Sequence, residues 1–136
     1  MKKKYKLTPA EWEIMEAVWE LGAAPSVRDV MEYQYPNREK AYTTIMTIMN
    51  TLEKKGFLNR KKIGLVNFYK PARSRSQIVK SEISSLTSRI FQGSTPAFAN
   101  FLINNQSLSL EDIEAIKLEL SRKENEIKGG KDDRNH

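Results

Sequence analysis

The side chains best suited to chemistry in this sequence are three closely spaced threonines. Thr43, Thr44 and Thr47 have the spacing of one face of a helix. A threonine hydroxyl can hydrogen-bond a base or a phosphate, and its methyl group can contact the methyl group of thymine. Threonine is a mediocre helix former, so stability does not explain the cluster, although a solvated face is the alternative interpretation. We therefore predict that these residues contact base edges in the major groove of DNA.

Four polar residues around the threonines extend this candidate DNA-binding face. Lys40 precedes them and Asn50 follows, and an asparagine can pair with adenine or hold a phosphate. Tyr42 and Lys54 are further candidates for DNA contact. For Tyr42 the alternative is partial burial, because it lies at the edge of the apolar face. We predict DNA contacts for Lys40 and Asn50 and treat Tyr42 and Lys54 as additional candidates.

The elements that carry these residues are predicted from a change in apolar period. Residues 41–52 repeat apolar side chains at helical spacing, with a cap at Asn37 or a neighbour and an end at Gly56. Two short strands are predicted next, over residues 57–63 and 66–70. A helix with a small polar outer face followed by a hairpin is typical of the recognition helix and wing of a winged helix-turn-helix.

The first predicted strand is basic just before its turn. Arg60, Lys61 and Lys62 are consecutive, and one of any two adjacent side chains in a strand points away from the core. We predict that at least one of the three contacts a phosphate, as part of a DNA-binding wing.

The charge of the chain is concentrated in its first part. The net charge is +6, with 15 Lys and Arg against 8 Asp and Glu in residues 1–75, and 8 against 9 in residues 76–136. A basic region suits a polyanion such as DNA, although lysines that only keep a surface soluble are the alternative. The asymmetry favours a nucleic-acid partner for the first part alone.

Two further helices are predicted ahead of this segment from their capping residues. Thr8 with Glu11 is typical of an N-cap and a capping box, and Ser26 with Asp29 repeats the arrangement. Three helices and a hairpin over residues 7–72 fit the plan of a winged helix-turn-helix DNA-binding domain.

Residues 74–126 are predicted to form three more helices, each with one apolar stripe. Three short helices are too small to bury such stripes alone, which favours a core shared by two chains in a C2 dimer. The residues predicted to pack in this dimerisation region are Ile83, Leu86, Ile90, Phe98, Phe101, Leu102, Ile113, Ile116 and Leu120. Residues 128–136 contain no apolar residue, so a disordered tail is predicted. The predicted fold class is mainly α, a winged helix-turn-helix followed by a three-helix dimerisation region.

Several classes of site are excluded by what the sequence lacks. It contains no cysteine, which removes disulfides, thiolate metal sites and cysteine nucleophiles. Its one histidine, His136, is the last residue, and no glycine-rich phosphate loop or catalytic pair of carboxylates is visible. We expect no enzyme activity, cofactor or metal ion. No apolar run approaches the roughly 18 residues that span a bilayer, so a soluble cytoplasmic protein without a membrane partner is expected.

Four segments of the sequence together resemble a known family. They are LTPAEWEIMEAVWELG at 7–22, AYTTIMTIMNTLEKKGFL at 41–58, FYKP at 68–71, and GSTPAFANFL followed by LSLEDIEAIKLEL within 93–120. In combination they resemble the BlaI/MecI/CopY family of bacterial repressors, the penicillinase repressors and their copper-responsive relatives. The resemblance implies an N-terminal winged helix, a dimerisation region of three helices, and a homodimer bound to a palindromic operator that overlaps a promoter.

The resemblance also implies how such a repressor is released. In penicillinase-type members a sensor-linked protease cuts an Asn–Phe bond in the dimerisation region, and Asn100 and Phe101 stand at the matching place. An operon of the penicillinase or antibiotic-resistance type is the implied target. Copper-responsive members carry a C-terminal cysteine cluster that is absent here. Penicillinase-type members tend to carry basic residues where Thr43 and Met46 stand, so their operator sequence does not transfer to this chain.

Two functions of other classes remain as alternatives at this point. The winged helix could dock another protein without any role in DNA binding, in which case binding to nucleic acid should be weak and without sequence preference. A cleft in the dimer could instead bind a small molecule that releases DNA, which would make the chain a ligand-sensing regulator.

Overall fold

The computed structural model describes residues 6–134, which fold into six helices and one two-stranded antiparallel sheet. Three helices and a hairpin come first, and three further helices follow. The elements are α1 (Pro9–Leu21), α2 (Val27–Gln34), α3 (Tyr42–Lys54), β1 (Leu58–Ile63), β2 (Val66–Pro71), α4 (Arg75–Phe91), α5 (Thr95–Asn105) and α6 (Leu110–Arg134). The first five elements form a winged helix-turn-helix, which confirms the predicted fold class.

Local capping fixes the starts of α1 and α2, as predicted. The backbone N–H of Thr8 donates to Glu11 Oε1 at 2.8 Å, and the Thr8 hydroxyl accepts from the backbone N–H of Glu11. Ser26 and Asp29 make the same reciprocal pair at the start of α2. Each cap contributes about 1 kcal/mol, because it satisfies N–H groups that have no partner within the helix.

The winged helix has a continuous apolar core between its three helices and the hairpin. Burying one large apolar side chain stabilises a fold by roughly 1.5–3 kcal/mol, which is the basis for expecting this part to fold by itself. The largest side chains without solvent exposure are Ile14, Met15, Val18, Val30, Ile45, Met49, Leu52, Leu58 and Tyr69.

An ion pair joins the start of α1 to the end of α3. Lys55 Nζ lies 2.9 Å from Glu11 Oε2, and Glu11 is buried. Burial by itself raises the pKa of the Glu11 carboxyl, but hydrogen bonds from Lys55 and Thr8 and the charge of Lys55 outweigh it and hold the pKa below its usual value. The folded protein therefore favours the ionised carboxylate.

The hairpin is antiparallel and is attached to the helices through β2. Ile63 pairs with Val66 at the tip of the hairpin. The backbone N–H of Tyr69 donates to the carbonyl of Pro25 at 2.9 Å, which fastens β2 to the loop between α1 and α2. The wing is thus held against the helices rather than projecting as an isolated ribbon.

The first turns of α4 pack on α1. The indole N–H of Trp19 donates to the carbonyl of Arg73 at 3.0 Å, just before α4 begins. Arg75 forms an ion pair with Glu16, with a separation of 3.2 Å. The chain divides into two compact units, and the first ends at Leu86, inside α4. The start of α4 is therefore a structural part of the N-terminal unit.

The second compact unit begins at Thr87 and contains the end of α4 together with α5 and α6. The Ser94 hydroxyl caps the start of α5, and Ser109 and Asp112 form a reciprocal cap at the start of α6. No side chain from 88 to 130 is buried. This unit has well-formed helices without a core of its own among those residues.

Helix α6 continues to Arg134, through residues that the sequence predicts as the first part of a disordered tail. A glycine inside a helix costs about 1 kcal/mol relative to alanine. Extending an existing helix adds a backbone hydrogen bond per residue without a new nucleation step, and this allows the helix to pass Gly129 and Gly130. Residues 135 and 136 of the predicted tail lie outside the described residues.

Candidate nucleic-acid interface

The outer face of α3 exposes the threonines that the sequence predicts as base contacts. Thr43, Thr44 and Thr47 are exposed to solvent. Ile45 and Met49, on the other side of the same helix, have no solvent exposure. Because the apolar side is fully used by the core, the threonine side is the only side of α3 that can meet a large partner.

The hydroxyl of Thr47 is already engaged within the helix. It donates to the carbonyl of Thr43 at 2.9 Å, and the hydroxyl of Thr51 donates in turn to the carbonyl of Thr47 at 2.9 Å. A hydroxyl has one proton and two acceptor lone pairs. In this arrangement Thr47 offers a partner an acceptor oxygen and a methyl group, but no free proton.

Lys40 lies before α3, which corrects its predicted place on the recognition helix. The predicted cap at Asn37 or a neighbour is wrong, because the chain makes a further turn with Arg38 at φ +58°, and Ala41 is the N-cap, without a side-chain hydrogen bond. The ammonium group of Lys40 lies 5.6 Å from the centroid of the Tyr35 ring, a cation–π distance. The ammonium group of Lys40 is therefore engaged by an aromatic ring, and the residue itself directly precedes the N-cap of α3.

Asn50 is half-buried and ties α3 to the wing. Its Oδ1 accepts a hydrogen bond of 2.8 Å from the hydroxyl of Tyr69, which has no solvent exposure. Burial raises the pKa of Tyr69 above its usual value, against the opposing influence of Arg60. Sequence patterns missed this contact, because the two partners are separated by the turn and β1. The carbonyl of Asn50 is thus used inside the protein.

The wing carries its basic residues on the outside. Arg60, Lys61 and Lys62 are all exposed, as is Lys54 at the end of α3. Arg60 stands opposite Tyr69 in the hairpin register, and Tyr69 itself is buried. Four exposed cations on the wing and at the end of α3 are therefore available for phosphates.

A groove of about 560 Å³ lies between the start of α2, the start of α3 and the tip of the wing. Tyr42, an additional candidate from the sequence, is exposed and lines it. Arg28 of α2 lines it too, and sequence reasoning missed this residue. Its position in the first turn of the helix before the recognition helix was the available signal, since that helix crosses the DNA backbone in this motif. The residues that line the groove are Ser26, Val27, Arg28, Asp29, Tyr42, Met46, Leu65, Val66, Asn67 and Phe68.

The predicted dimerisation residues are largely exposed to solvent in the single chain. Leu86, Phe98 and Ile113 are half-buried, and the others are exposed. The exposed members are Ile83, Ile90, Phe101, Leu102, Ile116 and Leu120. Further exposed apolar residues that the prediction left out are Ile103, Leu110, Leu118 and Ile127.

Asn100 and Phe101, the predicted cleavage residues, lie in the middle of α5. Both are exposed, and the carbonyl of Asn100 accepts from Asn104 Nδ2 at 2.9 Å. Phe101 also packs on Phe91, with ring centroids 5.8 Å apart. The peptide bond between Asn100 and Phe101 therefore joins two exposed residues, but the backbone there is helical rather than extended.

Among the side chains that the structure describes, those of residues 6–130, no group of three or more His, Cys, Asp or Glu could hold a metal ion. Within the same range no helix combines the length and apolarity needed to cross a membrane.

The sequence profile of the penicillinase repressors matches residues 7–122. The chain belongs to the penicillinase repressor family. This confirms the resemblance noted in the sequence. Because the family consists of repressors, it also confirms the expectation, drawn from the missing catalytic motifs, that the chain is not an enzyme.

Relatives in the family align along most of their length. The methicillin resistance regulatory protein MecI of Mammaliicoccus sciuri is 27% identical over 121 residues, which cover 89% of this chain and 98% of that protein. The penicillinase repressor of Bacillus licheniformis is 28% identical over 116 residues, covering 85% and 90%. A solution structure of monomeric Bacillus licheniformis BlaI with the blaP half-operator has 32% identity, covers 56% of this chain and 92% of that chain, and has a TM-score of 0.46.

Proposed function

We propose that this chain is a homodimeric, sequence-specific DNA-binding transcriptional repressor. The observation that carries the proposal is an exposed threonine face on α3 beside a basic wing, in a chain of the penicillinase repressor family. In helix-turn-helix proteins the recognition helix lies in the major groove, with its N-terminal residues at the base edges. Double-stranded operator DNA is therefore the proposed partner, and the bacterial cytoplasm, where the chromosome lies, is the proposed location.

Base recognition is assigned to the threonines of α3. Thr43, Thr44 and Thr47 occupy its first two turns, the part of a recognition helix that comes nearest to the bases. Thr47 presents an acceptor oxygen and a methyl group, which suits the amino groups of adenine or cytosine and the methyl group of thymine. The helix therefore recognises the DNA sequence through short threonine side chains that lie close to the bases, rather than through long basic side chains.

Phosphate binding is assigned to the cations around α3. Arg60, Lys61 and Lys62 lie on the wing, and Lys40 and Lys54 lie at the two ends of the helix. Each phosphate neutralised releases counterions, so operator affinity should fall steeply as the salt concentration rises.

Asn50 has a positioning role in this proposal. Its carbonyl is bonded to the buried Tyr69 hydroxyl, so it sets the distance between α3 and the wing. Any DNA contact by Asn50 would be made through its amide nitrogen, since the oxygen already accepts a hydrogen bond inside the protein.

Dimerisation is assigned to the second compact unit. Ile116 and Leu120 of α6 and Phe101 of α5 expose apolar surface, and none of residues 88–130 is buried in the single chain. Covering such surface with a second copy gains about 25 cal/mol per Å². A C2 dimer places two recognition helices about one DNA turn apart, which calls for a palindromic operator with two half-sites.

Release is assigned to proteolysis of the bond between Asn100 and Phe101 by a sensor-linked protease. Proteases cut extended chain, and α5 has no buried residue, so opening it locally would cost little free energy. A chain cut there loses α6 and the last five residues of α5, and two unlinked winged helices bind two half-sites far more weakly than a dimer does. The relatives named after methicillin resistance and penicillinase support an antibiotic-resistance operon as the target.

The proposal is tested by threonine substitutions measured on a DNA fragment that the full chain has selected. Thr44→Ala and Thr47→Ala should each lower operator affinity by roughly 5- to 150-fold, the range for loss of one good base contact. Both substitutions improve helix propensity, so a lower affinity would not reflect unfolding. Thr95→Ala, at an exposed position of α5, is the matched control and should bind normally. Equal binding by all three variants in a gel-shift titration would contradict the proposal.

A further inference from the structure

The boundary between the two compact units lies inside a helix rather than in a flexible linker. It falls after Leu86, within α4, and α4 contains neither glycine nor proline. Boundaries between domains are usually exposed segments rich in glycine, proline or polar residues, with few contacts. Here only residues 72–74 separate β2 from α4. The direction in which the chain leaves the first unit is therefore set by the contacts that hold the start of α4.

The start of α4 is held first against the end of the recognition helix. The backbone N–H of Ala72 donates to the carbonyl of Phe57 at 2.9 Å. Arg73 Nε donates to the carbonyl of Gly56 at 3.4 Å, and the Arg73 guanidinium lies 5.5 Å from the centroid of the Phe57 ring, a cation–π distance. Gly56 and Phe57 directly follow Lys55, the C-cap of α3. The segment before α4 is therefore attached to the residues at which α3 ends.

The same segment is held against α1. The indole N–H of Trp19 donates to the carbonyl of Arg73 at 3.0 Å. The guanidinium of Arg75 lies 5.9 Å from the centroid of the Trp12 ring, and Arg75 Nε pairs with Glu16 at 3.2 Å. One exposed ion pair is weak by itself, but several contacts on one short segment restrict the same backbone.

A reciprocal cap and a buried side chain complete this attachment. The backbone N–H of Ser74 donates to Gln77 Oε1, and the backbone N–H of Gln77 donates to the Ser74 hydroxyl. Ile78, in the first turn of α4, is buried in the core of the winged helix. We call the side chains that hold this segment from outside the α4 clasp: Trp12, Glu16, Trp19, Phe57, Arg73 and Arg75. The α4 clasp fixes the start of α4 relative to the recognition helix.

A fixed start of α4 matters for a dimer on DNA. The inference rests on the proposed function, in which the second units pair and each first unit occupies one half-site. One base pair added between the half-sites moves them apart by about 3.4 Å and rotates one relative to the other by about 35°. Flexible linkers would absorb this change. Two chains whose α4 helices are clasped must instead bend a helix, break the clasp or deform the DNA.

We propose that the α4 clasp makes the chain selective for the spacing between the two half-sites, with Arg73 and Arg75 as positioning residues. Both arginines act through the placement of α3, and the bases are read by α3 itself. Loss of the clasp therefore leaves the contacts within each half-site intact and widens the range of spacings that bind.

The test measures the affinity of the full chain for operators that differ only in spacing. The parent chain should bind roughly 10- to 100-fold more weakly when one base pair is added to or removed from the selected spacing, because the DNA or the protein must be deformed. The double variant Arg73→Gln with Arg75→Gln should lose less than about 3-fold for the same changes. At the selected spacing it should bind roughly 3- to 10-fold more weakly than the parent chain, because binding must order the freed segment.

Three further variants separate the clasp from charge and from folding. Lys80→Gln removes an exposed cation of α4 outside the clasp and should keep the spacing profile of the parent chain. Arg73→Lys with Arg75→Lys keeps both charges and the cation–π contacts, so it should recover most of the selectivity. Trp19→Phe removes only the indole N–H and should broaden the profile in part. It decides the question if circular dichroism shows that the double glutamine variant is unfolded.

Three results would overturn the inference and leave the proposed function standing. One is a parent-like spacing profile for Trp19→Phe and for the folded double glutamine variant. Another is a loss of affinity by the double glutamine variant on DNA with a single half-site that equals its loss on the full operator, since the arginines would then act by touching DNA. The third is a parent chain that binds all spacings equally. Failure of the parent chain to select any DNA would instead contradict the proposed function itself.

Discussion

The two compact units of this chain use apolar residues in opposite ways. In the winged helix, side chains such as Ile14, Met49 and Leu52 have no solvent exposure, and the exposed surface of α3 is polar. In the second unit no residue from 88 to 130 is buried, and leucines and isoleucines remain at the surface. The first unit has what it needs to fold alone, whereas the second has helices that require another surface. This difference supports the proposal that separate parts of the molecule recognise DNA and pair two chains.

The largest expected effect comes from a charge placed on the stripe of α6. Leu120→Glu should convert the proposed dimer to a monomer and lower operator affinity by roughly 10²- to 10⁴-fold, because the two half-sites are no longer linked. Analytical ultracentrifugation and a DNA titration measure the two effects.

Leu118→Glu is the matched control for that experiment. Leu118 and Leu120 are both exposed, at 71% and 64%, but residues two apart on a helix point about 200° apart. Leu118 thus lies away from the stripe of Ile113, Ile116 and Leu120. Monomeric behaviour of both variants, or of neither, would contradict a dimer face built on that stripe.

Shortening a buried side chain in the winged helix should lower the stability of the first unit, whereas shortening an exposed side chain of the second unit should not. Leu52→Ala should lower the free energy of unfolding by about 2–5 kcal/mol, the range for a fully buried leucine. Ile116→Ala, at an exposed position of α6, should leave the unfolding of the winged helix unchanged. Urea denaturation of the full chain compares these two variants, and a chain ending at Leu86, which should fold and remain monomeric, isolates the first unit. A chain ending there that fails to fold would contradict its independence.

We expect the stability of the first unit to fall in acid. The folded-state pKa of Glu11 is held below its unfolded value, so the stability it contributes is present at neutral pH and is lost as the pH falls through that lowered value, below roughly 4.3. Glu11→Gln keeps the capping geometry but loses the charge facing Lys55, and should be less stable by roughly 1 kcal/mol at pH 7. The difference in the free energy of unfolding between the parent chain and Glu11→Gln should disappear in acid. A gap that stays constant from pH 7 to pH 3 would refute the role of the ion pair.

The smallest expected effect concerns the link between α3 and the wing. Tyr69→Phe removes one hydrogen bond to Asn50 and should cost about 1 kcal/mol of stability. It should also lower operator affinity a few fold, because the wing is less firmly placed. Differential scanning fluorimetry and a DNA titration test this. Normal affinity together with lowered stability would limit Asn50 to a structural role.

Features that depend on neighbours in the sequence were predictable here. The caps at Thr8 and Ser26 each use a partner three residues away, and the turn at Gly64 needs only local backbone geometry. The exposed and buried faces of α3 followed from helical period alone. These interactions form within a few residues, so a pattern in the sequence is enough to find them.

The residues whose position or role the sequence did not predict depend on tertiary contacts or irregular turns, which leave no periodic pattern in the sequence. Lys40 was placed on α3, but the turn at Arg38 delays the helix start. Asn50 was considered only as a DNA contact, because its bond to Tyr69 joins residues 19 positions apart. Arg28 became a candidate only when the groove brought α2, α3 and the wing together. The positions and contacts of such residues are set by tertiary packing.

We propose that the first unit recognises DNA and that the second unit joins two copies of the chain. The most direct test is a selection from random double-stranded DNA, carried out in parallel with the full chain and with a chain ending at Leu86. We predict that the full chain enriches two inverted copies of one motif at a fixed spacing, and that the shorter chain enriches a single copy with lower affinity. Enrichment of the same single motif by both chains, or of no motif by the full chain, would contradict the account.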